Sequence, residues 1–324
     1  NYRTGPEVWE CLASLAPQIT EGIDVVVVDN DSPDDSADVI ERAIAERGWS
    51  SWARLVRSGR NGGFAAGNNV AIREALFEDE GPEVLFLLNP DTIVPPGAID
   101  MIRRQIAVHP NVGIFGVSML NPTGGLNANA FRFPSILGEL EQGARLGPLS
   151  KVLARWQVAP APPQRETSCD WVSGAAMIVR RAVFQHVGLM DDGYFLYFEE
   201  VDLCLRARKA GFEILYLPGA NIVHLEGAAT GVGETGKADR TRTRKPSWWY
   251  DARRRYFVKH HGWFGLVLAD ILWGLGRLSL EVRSRIGLGG RTEGDPLFYA
   301  KDLLGGDLRA LRDHLDGRDQ VSAP

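Results

Sequence analysis

Short apolar runs separated by amphipathic stretches organise the first third of this chain. Residues 24–28 (DVVVV) and 84–88 (VLFLL) are dense in β-branched and aliphatic side chains, and each stops at turn-forming residues, DNDSPDDS after the first and NPD after the second. Runs of this length, apolar on both faces, predict buried strands of a parallel sheet. Between them, residues 7–15 and 36–46 read as helices, 53–57 as a strand, and 61–67 as a glycine-rich turn opening a helix that continues to residue 76. Strands alternating with helices predict an α/β fold with a doubly wound, mostly parallel central sheet and right-handed crossovers. Ligands of such sheets lie at the carboxyl ends of the strands, where DNDS and NPD both fall.

Beyond residue 110 the alternation loosens. Residues 113–119 read as a strand, 121–132 as a Gly/Asn loop, and 134–168, which contain APAPPQ, as a mobile or surface excursion. Strand character returns at 171–179, followed by helices at 181–187 and 199–210 and short strands at 213–217 and 221–223. A Gly/Thr/Arg loop without hydrophobic periodicity covers 227–245, helix is expected from 247, and a polar tail after 305. The longest apolar stretch, 263–280, is interrupted by Asp270 and Arg277. A membrane-spanning helix needs roughly 20 mostly apolar residues, so this segment is expected to lie on a membrane or on the protein itself. The expected division is a catalytic domain over 1–245 and a helical C-terminal extension over 246–324.

The formal net charge of −5 gives no reason to expect a nucleic-acid partner. Residues 240–259 are nonetheless dense in Arg and Lys, which reads either as a surface for phosphate or anionic lipid or as a solvated helix face. Cys11, Cys169 and Cys204 are scattered, without a CxxC pair, so neither a zinc site nor a disulfide framework is indicated. A reducing, cytoplasmic setting is expected, with no signal peptide read at the start.

Three acidic positions carry candidate chemistry. Asp29 ends the first apolar run, where a carboxylate can accept hydrogen bonds from a base or ribose or can cap the following helix beside Ser32. Asp91 ends the VLFLL run behind Pro90 and is a candidate ligand for Mg²⁺ or Mn²⁺, which commonly take one or two protein carboxylates plus substrate phosphates; turn chemistry is the plain alternative. Glu199, Glu200 and Asp202 crowd a helix start, where the macrodipole favours negative charge. The aromatic lead-in of Tyr194, Phe195, Tyr197 and Phe198 adds a dry wall that would raise a carboxylate toward the range of a general base. His224 follows a short strand and is either structural or a metal ligand. The loop RNGGFAAGNN lacks the GxGxxG spacing, and no Walker A sequence is present, which disfavours dinucleotide and ATPase readings. Its glycines can still let backbone N–H groups approach a ligand.

Taken in order, VVVVDNDSPDDS, NGGFAAGNN, LLNPDT, WVSGAAMIVRR, YFEEVDLCLRARKAGF and ANIVH resemble the family 2 glycosyltransferases of GT-A fold, over roughly residues 1–260. The resemblance implies inverting sugar transfer with a divalent cation, Mg²⁺ or Mn²⁺, as cofactor. It places Glu200 as catalytic base, Glu199 as its neighbour oriented to the acceptor, and Asp91 and His224 on the metal. Tyr2 and Asp29 would meet the nucleobase, while Trp171, Ser173 and Gly174 would shape the sugar pocket. Asn61, Gly67, Asn68, Asn89 and Arg254 complete the implied donor-binding set. The family's DxD is Asn89-Pro90-Asp91 here, leaving one acid, and Glu200 stands where Asp is frequent. The strand that opens the family would precede Asn1, so Tyr2 is expected on a frayed end with weakened donor binding.

NPDT and RKPSWWYDARRRYFVKHHGW look most like the rhamnosyltransferase branch. That resemblance implies dTDP-L-rhamnose as donor, with a UDP- or GDP-sugar as the alternative, and a glycan or polyprenyl-diphosphate-linked acceptor in cell-envelope polysaccharide synthesis. It implies peripheral contact with the inner face of the membrane through 240–280, with Arg253, Arg254 and Arg255 meeting diphosphate or headgroups and the loop 227–245 ordering over the donor. A non-catalytic nucleotide-sugar binder is the competing class. A hydrolase or nucleotidyltransferase is disfavoured, since no GxSxG is present.

Overall fold

The computed structural model describes residues 1–225, 244–288 and 295–318. These form two compact units that exchange segments along the chain. The first contains Asn1–Phe131, Ala161–Phe195 and Glu199–Glu234; the second contains Arg132–Pro160, Leu196–Phe198 and Thr235–Pro324. The single cut expected at residue 245 is therefore replaced by an interleaved division.

In the first unit, α1 (Gly5–Leu15), β1 (Val25–Asp29), α2 (Ser36–Glu46), β2 (Ala53–Arg57), α3 (Gly63–Phe77) and β3 (Val84–Leu88) follow the expected alternation. Next come β4 (Thr92–Ile93), α4 (Ala98–Val108), β5 (Val112–Leu120) and β6 (Leu126–Asn127). In the second unit, α5 (Ile136–Ala144) and α6 (Gly147–Val152) occupy the stretch read as an excursion. The first unit resumes with β7 (Thr167–Ser168), β8 (Ala176–Arg180), α7 (Arg181–Val187), α8 (Glu199–Lys209) and β9 (Glu213–His224), and α9 (Ser247–Arg285) and α10 (Tyr299–Leu315) complete the second.

β1 and β2 pair in parallel, with Val25 opposite Ala53 and Asp29 opposite Arg57. The larger sheet has seven strands in the order β3-β8-β5-β9-β4, with β6 on β5 and β7 on β9. The α/β class holds, but the mostly parallel pairing expected does not. β8 is antiparallel to both β3 and β5, and β4 is antiparallel to β9; among the described residues only β5–β9 in this sheet is parallel. β8 lies between β3 and β5 in the middle of the sheet and runs against both. The valines of β1 are half-buried rather than buried, as are most residues of β3. Among the described residues each of these strands pairs along one edge only, so each is an edge strand of its sheet.

The core of this unit lies on β5, β8 and β9, where Phe115, Val117, Ala176, Ile178 and Ile222 are fully enclosed. A second cluster of Val8, Leu12, Ile40, Ile44 and Ala53 joins α1 and α2 to β2, as the 3.6-residue spacing of their apolar positions requires.

In the second unit, α9 is two helices joined at Gly262, whose φ of 70° and ψ of 174° turn the chain back. α5 packs closely on α9 because Gly143 and Gly276 leave no room for a Cβ between the two backbones. One arginine pins the unit: Arg253, with a side chain 2% exposed, reaches Glu139 of α5, Asp270 of α9 and Asp307 of α10, each at 3.0 Å. The polar tail expected after residue 305 is instead the body of α10, which continues to Leu315.

Candidate active site

Glu199 and Glu200 are the first residues of α8, and both are buried although the helix contains three acids in its first turn. Burial and the neighbouring Glu200 hold the Glu199 carboxyl well above the usual carboxylate range, and burial pushes Glu200 up to about 7. The Oε2 atom of each has no hydrogen-bond partner among the described residues. Buried polar atoms are nearly always paired, so an adjacent pair of unpartnered carboxylate oxygens is an arrangement held for something other than stability.

The chain leading to them is held at several points. Asp202, fully buried, accepts from Nε of Arg206 at 2.7 Å, one helical turn on. The same guanidinium donates to the carbonyls of Val187 at 2.6 Å and Leu189 at 2.9 Å. The Asn69 amide grips Met190 through both of its backbone groups, at 2.8 and 3.1 Å. The Phe64 N–H donates to the Phe195 carbonyl at 2.9 Å, an approach that Gly63 permits because a Cβ there would overlap the Phe195 backbone. Sequence reading missed Arg206 and Asn69; the Asp202–Arg206 spacing of four on a helix was the available signal. Tyr197 and Phe198, the two residues before Glu199, both have left-handed backbone, with φ of 70° and 69°. Each such non-glycine conformation costs of order 1–3 kcal/mol and persists only where the surroundings impose it. In the second unit Tyr197 lies against Trp248, and Phe198 against Trp249 and Tyr256.

Asp91, buried, receives the His224 Nε2 at 3.1 Å, and Asn89 Nδ2 lies 3.4 Å from the same ring nitrogen. The pairing of Thr92 with His224 between β4 and β9 brings these residues together. Asn89 Oδ1 is buried without a hydrogen-bond partner among the described residues. Asp91, His224 and an orphaned amide oxygen form a two-to-three-ligand set of the kind a hard divalent cation completes with substrate phosphate oxygens. The residues fit such an ion.

The turn 173–175 serves both groups. The Asn89 N–H donates to the Ala175 carbonyl at 2.9 Å, and Glu200 Cβ lies 3.8 Å from where a Cβ on Gly174 would sit. The Ser173 N–H donates to Asn129 at 2.7 Å, so this stretch is a bonded turn and β8 begins only at Ala176, later than expected. Trp171 stacks on Phe131 with centroids 4.2 Å apart.

Other sequence candidates have different surroundings. Asp29 accepts from Asn1 Nδ2 at 2.5 Å, from Ser32 N–H at 3.0 Å and from Ser32 Oγ at 2.7 Å, which closes a turn rather than capping α2. Asn1 bonds to both Val28 and Asn30 through its backbone, so the frayed start expected around Tyr2 is corrected. Asn61 accepts from the Gly63 N–H, Asn68 donates to the Phe64 carbonyl, and Gly67 has no room for a side chain beside Asn30. These contacts within the protein account for those three residues. Arg253 and Arg254 are not an open cationic surface. Arg253 is enclosed by carboxylates, and Arg254 pairs with Asp307 at 2.6 Å and Asp251 at 2.7 Å. The basic run reads as surface because its countercharges come from distant positions in the chain. The expected donor-covering loop 227–245 lies almost wholly outside the described residues.

A family model described as glycosyltransferase like family 2 matches residues 1–252. Among characterised proteins, the N-acetylglucosaminyl-diphospho-decaprenol L-rhamnosyltransferase of Mycobacterium tuberculosis is 28% identical over 296 residues, covering 88% of this chain and 90% of that protein. The rhamnosyltransferase WbbL of Escherichia coli is 27% identical over 166 residues, or 50% of this chain and 60% of that protein. The structure resembles that of the mannosyltransferase PcManGT from Pyrobaculum calidifontis, solved with GDP-Man and Mn²⁺, with a TM-score of 0.52, 16% identity, and coverage of 98% of this chain and 81% of that one. Residues 1–349 of S. aureus TarS give the same TM-score of 0.52 at 14% identity, over 98% of this chain and 81% of that fragment. With the family match spanning most of the chain and the fold that of its neighbours, the chain belongs to glycosyltransferase-like family 2 and is a glycosyltransferase of GT-A fold.

Proposed function

We propose that this glycosyltransferase moves L-rhamnose from dTDP-rhamnose, with inversion, to a glycan or polyprenyl-diphosphate-linked acceptor of cell-envelope polysaccharide synthesis. The observation that carries the reading is the Glu200 carboxylate of α8, buried, raised to about 7 and with one oxygen unpartnered, packed against the turn that also binds Asn89. The donor follows from the rhamnosyltransferases similar in sequence, and the membrane-linked acceptor from the decaprenol-linked substrate named for the mycobacterial relative.

Glu200 takes the proton of the acceptor hydroxyl. The freed oxygen bonds to the anomeric carbon from the face opposite the diphosphate, the bond to the phosphate oxygen breaks, and the nucleoside diphosphate leaves with that electron pair. Asp91 and His224, with Asn89 Oδ1 as a third donor, would hold Mg²⁺ or Mn²⁺, whose charge offsets that gathering on the diphosphate. Glu199 stays protonated beside Glu200 and donates a hydrogen bond toward the acceptor. Asp29 and Tyr2 serve the nucleobase side, and Trp171, Ser173 and Gly174 the sugar. The three cysteines are free thiols, which supports a reducing, cytoplasmic setting at the membrane face.

A panel of dTDP-, UDP- and GDP-sugars with Mn²⁺, scored for thermal stabilisation and for released nucleoside diphosphate, tests this reading. A selective ligand raises stability by mass action, so dTDP-rhamnose is expected to respond alone and to be consumed. A response to a UDP- or GDP-sugar would change the donor. Binding with no release of nucleoside diphosphate would leave a non-catalytic binder.

A further inference from the structure

The C-terminal half of α9 carries an apolar face that no described residue covers. Phe264, Ile271 and Leu278 recur every seven residues, as do Leu275 and Val282, and all five are between 48% and 80% exposed. The opposite face, with Leu266, Ala269, Trp273, Gly276 and Leu280, is buried. Seven-residue spacing places the exposed set on one stripe of the helix, continued past its end by Ile286, which is 61% exposed.

We propose that this stripe is the surface by which the protein lies on an anionic lipid membrane. Three features favour lipid over a second copy of the chain. From Phe264 to Ile286 the stripe runs ~35 Å at 1.5 Å per residue and is about 10 Å wide, so pairing it with its twin would bury only ~700 Å², below the ~1,000 Å² a stable interface needs. Both carboxylates in this segment lie beside an arginine that they share with other acids, Asp270 beside Arg253 at 3.0 Å and Glu281 beside Arg277 at 3.5 Å, which lessens their repulsion of a phosphate headgroup. Arg285 is exposed where the stripe ends. An amphipathic helix with an apolar stripe and cationic flank embeds along the plane of a bilayer. The contact surface expected from the sequence over 240–280 thereby moves: Arg253 and the Trp249 ring are engaged within the helical unit, and the residues left outward are those of the stripe.

This inference rests on the membrane-linked acceptor proposed above, and the experiment separates the two. The full chain is sedimented with phosphatidylglycerol/phosphatidylcholine vesicles and with phosphatidylcholine alone, beside an L275E/L278E variant and an L275W variant. Thermal melts confirm folding, and donor hydrolysis is measured without vesicles. The wild type is expected to pellet with the anionic vesicles, L275E/L278E to bind about tenfold more weakly or less, and L275W at least as tightly as wild type, a gain that mere damage to the fold would not give. Donor hydrolysis in the variants is expected unchanged. Wild-type protein that stays in the supernatant, or L275E/L278E that pellets equally, overturns the proposal. So does a wild-type dimer in sedimentation equilibrium that L275E/L278E dissociates. Intact vesicle binding with no donor hydrolysis would count against the catalytic reading alone.

Discussion

Two clusters of buried charge, one in each unit, obey opposite rules. Around Arg253, one guanidinium meets three carboxylates from three helices, and the charges are largely answered by one another. At the start of α8, two adjacent carboxylates share an enclosure with no cation at hydrogen-bonding distance among the described residues, and each leaves an oxygen unsatisfied. An ion cluster of the first kind holds helices in place. One of the second kind costs stability, and the fold must supply that cost from elsewhere, as the clamps from Arg206 and Asn69 indicate. Buried charge by itself is thus a poor sign of chemistry; buried charge without its complement is a good one.

The comparison breaks most sharply under substitution. Glu200→Gln keeps the shape and removes the base, so turnover is expected to fall about 10³-fold while the donor KM changes little. Steady-state transfer measured within tenfold of wild type would remove Glu200 from its role. Arg253→Met should act on folding instead, destabilising the chain by about 3–5 kcal/mol because it strands Glu139 and Asp270 and leaves Asp307 to Arg254 alone. Denaturant titration checks this, and adding E139Q and D270N to the Arg253→Met chain should recover part of the loss. An Arg253→Met protein as stable as wild type would show that the cluster holds nothing.

Smaller effects sharpen the contrast. Asn69→Ala and Arg206→Lys weaken the approach to the acids without touching them, and turnover about tenfold lower with little change in KM is expected. Loss of KM alone would mean that these residues serve binding rather than position. The smallest effect is one of pH. Because the folded pKa of Glu200 is raised above its unfolded value, the stability this group contributes is present below about 4.5 and is lost as pH rises through about 7. Glu200→Gln removes that loss, so its melting temperature should exceed that of wild type by roughly 2–5 °C at pH 8 and by less at pH 5. The wild-type rate, which needs the ionised base, should rise through pH 7 and then level off. An advantage for Glu200→Gln independent of pH would mean that the carboxylate is not strained.

Much of this was legible in the chain itself. The bounds of α2, β2 and β3 follow directly from short runs with one dominant period. The acidic start of α8 was visible because aromatic residues surround it. What was hidden depended on partners far away in sequence. Arg253 reads as a solvated position until Glu139 and Asp307 are brought to it, 114 and 54 residues distant. α5 reads as part of an excursion because the Pro-rich APAPPQ dominates the stretch 134–168, whereas its place is set by Gly143, which lets it meet α9. The strand expected from residue 171 begins only at Ala176, because Ser173 is bonded to Asn129 rather than to a neighbouring strand. The direction of β8 could not be read at all, since its apolar pattern is the same whichever way it runs.

The left-handed backbone at Tyr197 and Phe198 also bears on how such an enzyme can be improved. A protein engineer seeking heat resistance would choose glycine or asparagine there, and the chain would fold more comfortably. The ring contacts that Tyr197 and Phe198 make with Trp248, Trp249 and Tyr256 would be lost in the same exchange. Durability and speed are then set against each other at two neighbouring codons, and selection for one should be read out as drift in the other.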